Sequence, residues 1–425
     1  MIKIILKKGR DESLRRFHPW VFSGAIAQVQ GNPAEGDIVA VHASDGSFLA
    51  FGHYQIGSIA VRVLSFDADV LAPDFWEVML SRALQVRIDC GLHVGDCALR
   101  SAISHCDEQI PSRHCDEQSE LAISSTNCYR LVHGEGDNLP GLIIDYYDGV
   151  CVMQAHSAGM FRAKGQISDA LQKVYGPELK AVYDKSSGTA PFKAGLDLVD
   201  GYLYRRPDFV DDELTVLENG RKFIVNWTEG QKTGFFLDQR DNRALVGSLA
   251  RGRNVLNLFC YTGGFSIYAL ANGAAHVDSV DSSKKAMMMV DRNVAENGFD
   301  PSRHTSLCCD AIEYLRDVPE GKYDLMIVDP PAFAKHRGAL KNALRAYQRL
   351  NAAAISKVAP GGLVFTYSCS QVVDKESFAL AVFSAAAQCG RSVRILDRLN
   401  QPCDHSVNIY HPEGEYLKGL LLYVE

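Results

Sequence analysis

The stretch from Asn254 to Ala271 decides the fold of this chain, and it reads Asn-Val-Leu-Asn-Leu-Phe-Cys-Tyr-Thr-Gly-Gly-Phe-Ser-Ile-Tyr-Ala-Leu-Ala. Its apolar beginning, Val255 to Phe259, is typical of a buried parallel strand. Gly263 and Gly264 follow, and apolar residues then recur with helical spacing. We therefore predict a strand, a glycine turn and a helix whose N-terminus offers free N–H groups to a ligand. Taken alone, two glycines after a strand are equally typical of close packing.

Further apolar runs end in polar residues that share the same predicted sheet edge. Asp281 ends a second apolar run, where an acid can accept hydrogen bonds from ribose hydroxyls. Asp329 ends another run and is followed by Pro330 and Pro331, which cannot continue a sheet ladder. Cys369 follows a later strand. We expect a glycine turn, acids and a thiol in one crevice, together with a nucleoside-containing cofactor.

These residues resemble a class I S-adenosylmethionine-dependent methyltransferase, and more narrowly the ribosomal RNA large subunit methyltransferase I family of cytosine-C5 enzymes. The resemblance extends to the amino-terminal segment, to Glu135–Gly141, to Gln231–Arg243 and to Tyr416–Gly419, so it covers nearly the whole chain. It implies S-adenosyl-L-methionine as cofactor and large-subunit ribosomal RNA as partner. It also implies an RNA cytosine-C5 methyltransferase activity.

The alternation of strands and helices after Asn254 indicates a parallel sheet with helices on both faces. We predict an α/β chain whose carboxyl-terminal part, residues 213–425 with a linking hairpin, is a Rossmann-like methyltransferase domain. Residues 1–72 are expected to form a small β-barrel, which by resemblance is PUA-like. Residues 73–212 are expected to form a middle α+β domain with a polar insert at about 98–127.

The amino-terminal segment combines basic and aromatic residues. Alternating runs at Asp37–Val41 and Ser47–Phe51 flank Asp45-Gly46, which is a favourable hairpin turn. By resemblance this segment would bind structured RNA, although the charges could equally do no more than solvate a small β-domain. The basic residues are Lys3, Lys7, Lys8, Arg10, Arg15 and Arg16, and His18-Pro-Trp-Val-Phe22 supplies the aromatic ones.

Composition limits the possible binding partners, the cellular location and the state of the cysteines. The net charge of −7 disfavours general RNA binding, so any RNA contact must come from local patches. No apolar run approaches the length of about 20 residues that crosses a bilayer, and no secretory pattern is present, so we predict a cytoplasmic protein without a membrane partner. The 12 cysteines show no Cys-x-x-Cys pair and are expected to be free thiols. The choice between a monomer and a homodimer stays open.

The segment Ser104–Ser119 contains the sequence His-Cys-Asp-Glu-Gln twice. Two His-Cys pairs could suggest zinc, but adjacent ligands on one backbone rarely converge on a tetrahedron. We therefore predict a polar, duplicated insert and no metal.

Cofactor binding is assigned to residues at the strand ends and in the segment before the cofactor strand. In the family an acid at the position of Asp310 contacts the adenine amine, and Asp310 also suits the N-cap of a helix Ala311–Arg316. The resemblance places Thr233, Phe235 and Asp238 near the methionine end, although that polar segment could be an ordinary solvated face. The assigned residues are Phe259, Tyr261, Thr262, Gly263, Gly264, Asp281, Ser282, Asp310, Asp329, Gln239 and Arg240.

Cys369 and Asp329 are the predicted catalytic residues. Cytosine C5 is a poor nucleophile, so a thiolate that adds to C6 makes the ring electron-rich, and a carboxyl group at N3 stabilises the developing charge. Cys369 could instead be a small buried residue at a strand end. The base that removes the C5 proton is not identified.

Substrate binding is assigned to residues beside the catalytic acid. A stacking aromatic and a basic stripe could hold a base and RNA phosphates, although a plain solvated helix is the alternative. Two other functions stay open: methylation of a purine nitrogen of ribosomal RNA, and a non-catalytic ribosome-assembly RNA-binding factor. The assigned residues are Pro330, Pro331, Phe333, Lys335, Arg337, Arg345 and Arg349.

Overall fold

The computed structural model of the protein describes residues 1–67, 72–92, 126–191 and 195–425. The chain forms two compact units that are discontinuous in sequence. The first comprises Met1–Asn219, Val225–Leu237 and Cys403–Gly414, and the second comprises Gly220–Ile224, Asp238–Pro402 and Glu415–Glu425. The repeated His-Cys-Asp-Glu-Gln motif and nearly all of the predicted insert lie outside the described residues. The predicted division at residues 72 and 212 stays a prediction.

The amino-terminal part of the first unit is a six-stranded sheet with strand order β2-β6-β5-β4-β1-β3. The predicted hairpin is confirmed, because β4 and β5 pair antiparallel around Gly46, whose φ is 87°. Ile4, Val39 and Val61 are fully buried in its core. The elements are β1 (Lys3–Leu6), α1 (Glu12–Arg15), β2 (Trp20–Phe22), β3 (Ile26–Gln30), β4 (Ile38–His42), β5 (Phe48–Tyr54) and β6 (Ile59–Ser65).

A five-stranded sheet with order β11-β10-β9-β8-β7 forms a second part of this unit. The segment from Ala158 to Tyr175 forms two helices, because the backbone departs from the helical path at Ala163 (φ −79°, ψ −2°). The elements are α2 (Phe75–Asp89), β7 (Cys128–His133), β8 (Leu142–Tyr147), β9 (Val150–Ala155), α3 (Ala158–Arg162), α4 (Lys164–Tyr175), β10 (Ala181–Asp184) and β11 (Gly201–Arg205).

The predicted hairpin after this sheet is present as β12 (Glu213–Glu218) and β13 (Arg221–Asn226). Asn219 and Gly220 form its turn with φ values of 48° and 76°. Positive φ at both central residues is the signature of a type I′ turn, which Asn-Gly favours.

The second unit is built on a seven-stranded sheet with order β16-β15-β14-β17-β18-β20-β19. β14 to β18 pair in parallel, whereas β20 is antiparallel to β18 and β19. The strands are β14 (Asn254–Leu258), β15 (His276–Asp281), β16 (His304–Cys308), β17 (Leu325–Val328), β18 (Gly362–Ser368), β19 (Val393–Leu399) and β20 (Lys418–Val424).

Helices follow most of these strands. β15 and β16 lie on one side of β14 in the sheet and β17 and β18 on the other, so the strand order reverses at β14. Ligands of open α/β sheets bind at the carboxyl ends of the strands beside such a reversal. None of the described helices is long and apolar enough to span a membrane. The helices are α5 (Arg240–Leu249), α6 (Gly264–Ala271), α7 (Lys284–Glu296), α8 (Ala311–Asp317), α9 (Leu340–Lys357) and α10 (Lys375–Cys389).

Candidate active site

The turn between β14 and α6 has an unusual backbone. Phe259, Tyr261 and Gly263 have φ values of 58°, 48° and 81°. Positive φ is unfavourable for residues with a Cβ atom, and such strain is retained where the surrounding structure fixes a ligand-binding loop. The backbone N–H of Cys260 anchors the turn by donating to the carbonyl of Val280 at 3.1 Å. The predicted glycine turn is therefore tightly constrained at the start of α6.

Asp281 is fixed at the end of β15 by backbone groups. Its Oδ2 accepts from the N–H of Tyr261 at 3.0 Å, and its Oδ1 accepts from the N–H of Ser283 at 2.9 Å. Each carboxylate oxygen has a second lone pair, so the group can still accept from hydroxyls. Asp281 is half-buried and Ser282 is exposed, so both predicted residues are accessible at the strand end.

Asp310 follows β16 and caps α8. Its Oδ1 accepts from the backbone N–H groups of Ile312 and Glu313 at 2.8 and 2.9 Å, which confirms the predicted N-cap. Asp310 is exposed, and its Oδ2 makes no hydrogen bond in the described parts of the chain. One oxygen is therefore structural, and the other faces solvent.

Asp329 lies just beyond β17, and its carboxyl group is held in a partly desolvated position. Burial and then the nearby Asp238 raise the pKa of Asp329 to about 7, although the Gln239 hydrogen bond and Arg243 oppose this rise. Gln239 Nε2 donates to Asp329 Oδ2 at 3.0 Å. The amide of Asn242 orients Gln239, because its Nδ2 donates to Gln239 Oε1 at 2.6 Å. Near neutral pH, Asp329 therefore holds a proton part of the time.

Two side chains not assigned from the sequence shape this electrostatic environment. Tyr416 donates its hydroxyl to Asp238 Oδ2 at 2.7 Å, which fixes that carboxylate. Arg243 is buried and lies under the start of α6, where a Cβ on Gly264 would be 3.0 Å from Arg243 Cδ. The periodic pattern of α5 shows that Arg243 is helical but does not reveal that it faces Asp329.

Cys369 follows β18 and is half-buried. Burial first, and then Asp329 and Asp238, raise the pKa of its thiol to about 11. The neighbouring serines fix its backbone: Ser368 Oγ donates to the Tyr347 hydroxyl at 2.9 Å, and Ser370 Oγ donates to the carbonyl of Ala334 at 2.6 Å. β17 and β18 are adjacent parallel strands, so the predicted acid and thiol lie at neighbouring strand ends.

Comparison with known proteins identifies the family. A family model described as S-adenosylmethionine-dependent methyltransferase matches residues 206–421, and one described as PUA-like domain matches residues 4–66. Ribosomal RNA large subunit methyltransferase I from Pseudoalteromonas translucida is 37% identical over 422 residues, which cover 98% of each chain. Its namesake from Alteromonas mediterranea is 38% identical and covers 99% of this chain and 98% of the relative. The chain belongs to the ribosomal RNA large subunit methyltransferase I family.

Solved structures confirm the fold of this family member. A structure named as a SAM-dependent methyltransferase from Streptococcus mutans superposes with a TM-score of 0.78 at 21% identity and covers all of both chains. A methyltransferase complexed with SAH gives a TM-score of 0.79 at 21% identity, again over all of both chains. The predicted architecture, a PUA-like amino-terminal domain and a carboxyl-terminal methyltransferase domain, is confirmed. The cofactor of this family is S-adenosyl-L-methionine.

The strand ends of the second unit fit this cofactor chemically. S-adenosyl-L-methionine presents an adenine amine, two ribose hydroxyls and a positively charged sulfonium. Asp281, Asp310 and Asp329 lie at the ends of β15, β16 and β17 and can accept from those groups or offset that charge. Gln239 and Arg240 are buried at the start of α5, in the same unit.

The segment before α5 departs from its predicted role in one respect. Thr233 is fully buried, and its hydroxyl donates to Asp145 Oδ2 at 2.6 Å. Its side chain also hydrogen-bonds to the Tyr147 hydroxyl at 3.0 Å, and Phe235 is 4% exposed. The side chain of Thr233 is therefore part of the core of the first unit and is not available to contact a cofactor.

The predicted substrate residues surround the catalytic acid in sequence but differ in exposure. Pro330 is buried and Pro331 is exposed. Phe333 is half-buried, with its ring centroid 4.7 Å from that of Tyr347. All four basic residues are exposed, and none forms an ion pair within the described ranges: Lys335, Arg337, Arg345 and Arg349. They are therefore available to phosphates.

The acids of the Glu135–Gly141 loop are used structurally. Glu135 Oε1 accepts from Trp20 Nε1 at 2.8 Å and from Arg62 at 2.9 Å. Asp137 Oδ2 accepts from the buried guanidinium of Arg87 at 2.8 Å. By accepting these hydrogen bonds, Glu135 and Asp137 connect the loop to other parts of the first unit, so their role is structural.

Proposed function

We propose that this protein methylates C5 of a cytosine in large-subunit ribosomal RNA, with Cys369 as the nucleophile and S-adenosyl-L-methionine as the methyl donor. The observation that carries this proposal is the pairing of Asp329 and Cys369 at the ends of β17 and β18, close enough for the carboxylate to raise the pKa of the thiol. The name shared by the relatives supports the substrate class.

We assign the cofactor to the strand ends of the second unit. The Phe259–Gly264 turn is proposed to lie along it, with Asp281 accepting from the ribose hydroxyls and the free oxygen of Asp310 accepting from the adenine amine. Ser282 lies beside Asp281, and Gln239 and Arg240 support the methionine end near Asp329. The bound cofactor supplies an electrophilic methyl group.

The side chains of this unit then divide the chemistry between them. Cys369 Sγ forms a bond to C6 of the cytosine, while the protonated carboxyl group of Asp329 donates to N3 as negative charge develops there. A pKa of about 7 suits this exchange, because the carboxyl group is both protonated and ionised near neutral pH. C5, now electron-rich, would take the methyl group that the bound cofactor supplies. Loss of the C5 proton to a base and return of the N3 proton to Asp329 would then break the C6–S bond and free the product and the thiolate.

Protonation of Asp329 also helps to activate the thiol. The Asp329 carboxylate is one of the causes that raise the pKa of Cys369, so a neutral carboxyl group removes part of that repulsion. Protonation of Asp329 therefore provides the hydrogen bond to N3 and also favours ionisation of the Cys369 thiol. The Gln239 hydrogen bond holds the carboxyl group in position for both.

Substrate contacts are proposed on the chain that follows Asp329. Pro331 and Phe333 would lie beside the extruded base, and Lys335, Arg337, Arg345 and Arg349 would contact phosphates. Their exposure and the lack of acidic partners among the described residues support this assignment. The cytoplasmic location and the choice between a monomer and a homodimer stay predictions.

Methylation of a purine nitrogen is the second candidate function. The observation that favours it is the raised pKa of the Cys369 thiol, because thiolate is scarce at neutral pH when the pKa is about 11. In that reaction Asp329-Pro-Pro-Ala-Phe333 would hold the amine, and Cys369 would be dispensable. A purely RNA-binding role is disfavoured by membership of a methyltransferase family.

The decisive experiment combines product analysis with a matched pair of cysteine variants. Protein is incubated with labelled S-adenosylmethionine and undermethylated large-subunit rRNA, and the labelled nucleoside is identified. We expect 5-methylcytidine from wild type and from Cys389→Ala, whose half-buried thiol lies at the end of α10, and none from Cys369→Ala. Calorimetry should show unchanged cofactor binding in both variants. A labelled purine, or full activity of Cys369→Ala, contradicts the thiolate mechanism.

A further inference from the structure

Lys418 is buried directly beside the backbone that carries Cys369. It begins β20, and its Cα pairs with that of Ser368, the residue before Cys369. Only 5% of Lys418 is exposed. Its Nζ donates to the carbonyls of Ser370 and Val373, both at 2.6 Å. The ammonium group therefore holds together the two ends of the turn that follows the thiol.

This ammonium group is an unusual buried charge. Its two hydrogen-bond acceptors are neutral carbonyls, and no carboxylate within the described ranges forms an ion pair with it. Asp374 instead caps α10 by accepting from the N–H of Ser377 at 2.7 Å, and Glu415 pairs with Lys375. A buried cation without a countercharge is destabilising. A transient anion beside it would remove that penalty.

The chemistry of the site provides such an anion. We propose that Lys418 is a positioning residue that supplies the countercharge for the Cys369 thiolate and holds the turn that presents it. This inference rests on the proposed function, in which Cys369 must lose its proton before it attacks the base. The two carbonyls use two of the three N–H groups of the ammonium group, and the thiol proton leaves to solvent.

The charged groups around Cys369 and Lys418 affect the pKa of each. Cys369 faces the carboxylates of Asp329 and Asp238, which raise its pKa, and Lys418, which lowers it. Lys418 itself has a pKa lowered by burial to about 8, with Cys369 opposing this change most strongly. Around Lys418, Asp374 and Glu415 also raise its pKa, whereas Lys375 lowers it. Each of the two groups thus favours the charged form of the other.

The test measures ionisation of the thiol and does not depend on turnover. Wild type, Lys418→Gln and Lys418→Arg are alkylated with iodoacetamide from pH 6 to pH 8, and the rate of Cys369 modification is followed by peptide mass spectrometry. Lys418 is charged below pH 8, and the rate is proportional to the thiolate fraction well below the pKa of the thiol of about 11. Glutamine keeps donors for the two carbonyls but removes the charge. We expect Cys369 to be modified about tenfold more slowly at pH 7 in Lys418→Gln, because a change of about one pKa unit is a tenfold change in thiolate. Lys418→Arg should stay near wild type.

Three controls separate charge from structure. Lys375→Gln removes an exposed neighbouring ammonium and should leave the Cys369 alkylation rate unchanged. Cys389 alkylation within each sample reports unfolding, and Lys418→Met gives the same comparison if Lys418→Gln does not fold. An unchanged Cys369 alkylation rate in a folded neutral variant overturns the inference.

The outcome also separates this inference from the proposed function. If the product is 5-methylcytidine but the Cys369 alkylation rate does not change, the role of Lys418 is wrong and the reaction stands. If the product is a methylated purine, the thiolate mechanism fails whatever the alkylation result, and a slower alkylation rate then shows only that Lys418 and Cys369 are coupled. The thiolate role proposed for Lys418 therefore requires both results.

Discussion

Replacement of Asp329 by Asn is expected to stabilise the protein at alkaline pH while it removes activity. Burial and Asp238 hold the pKa of Asp329 at about 7, compared with an ordinary value of 3.8. The native state therefore resists ionisation of this carboxyl group, whereas the unfolded chain ionises it freely. Asparagine can still accept the hydrogen bond from Gln239 but carries no charge in either state.

The size and direction of this effect follow from proton linkage. Below pH 3.8 the carboxyl group is protonated in both the native and the unfolded state, so the raised pKa of Asp329 does not lower the free energy of unfolding. As pH rises to about 7 the unfolded state ionises first, and the free energy of unfolding falls; above pH 7 the loss is complete. At about 1.4 kcal/mol for each pKa unit, the loss is about 4 kcal/mol as an upper limit.

Calorimetric unfolding of wild type and Asp329→Asn at several values between pH 5 and pH 8.5 tests this reasoning. The variant should gain stability relative to wild type as pH rises, and the difference should level off above pH 7. Asp238→Asn should show a weaker pH dependence, because Asp238 helps to raise the pKa of Asp329. A stability difference that is independent of pH, or a variant less stable than wild type at pH 8, refutes the electrostatic account.

Two further outcomes test other parts of the molecule. Asp310→Asn keeps an N-cap oxygen, so its melting temperature should stay near that of wild type while cofactor affinity falls, whereas Asp310→Ala should also lose about 1 kcal/mol of stability. Arg345→Gln with Arg349→Gln should reduce the slope of log K against log salt for RNA by about 1 to 2, and an unchanged slope would exclude phosphate contacts there.

Sequence patterns predicted those structural elements that are determined by residues close together in the chain. The apolar run and glycines of β14 and α6, the Asp329-Pro-Pro strand end and the Asn219-Gly220 turn each carry their own signal. The Asp310 cap was equally visible, because N-caps depend on residues within one helical turn. β19 gave no such signal. It is an edge strand whose residues from Arg394 to Arg398 are all exposed, so it lacks an alternating apolar pattern.

The electrostatic setting of the site could not be predicted in this way. The pKa of Asp329 depends on Asp238, on Gln239 and on Arg243, which precede it by many residues in the chain. Lys418 approaches Ser370 only because β20 pairs with β18. Sequence spacing does not report contacts that the sheet order creates, so the resemblance supplied the roles of Cys369 and Asp329 and the structure supplied their neighbours.

Each of the two units is assembled from three separate segments of the chain. Residues Cys403–Gly414 belong to the first unit although they interrupt the second. Asp404 is almost fully buried, its Oδ2 accepts from the N–H of Arg130 at 2.9 Å, and its carbonyl accepts from the guanidinium of Arg87 at 2.7 Å. A continuous fragment that contains Arg87 and ends before residue 403 therefore lacks one acceptor of this buried guanidinium. The first unit cannot be produced as one continuous fragment without including part of the second.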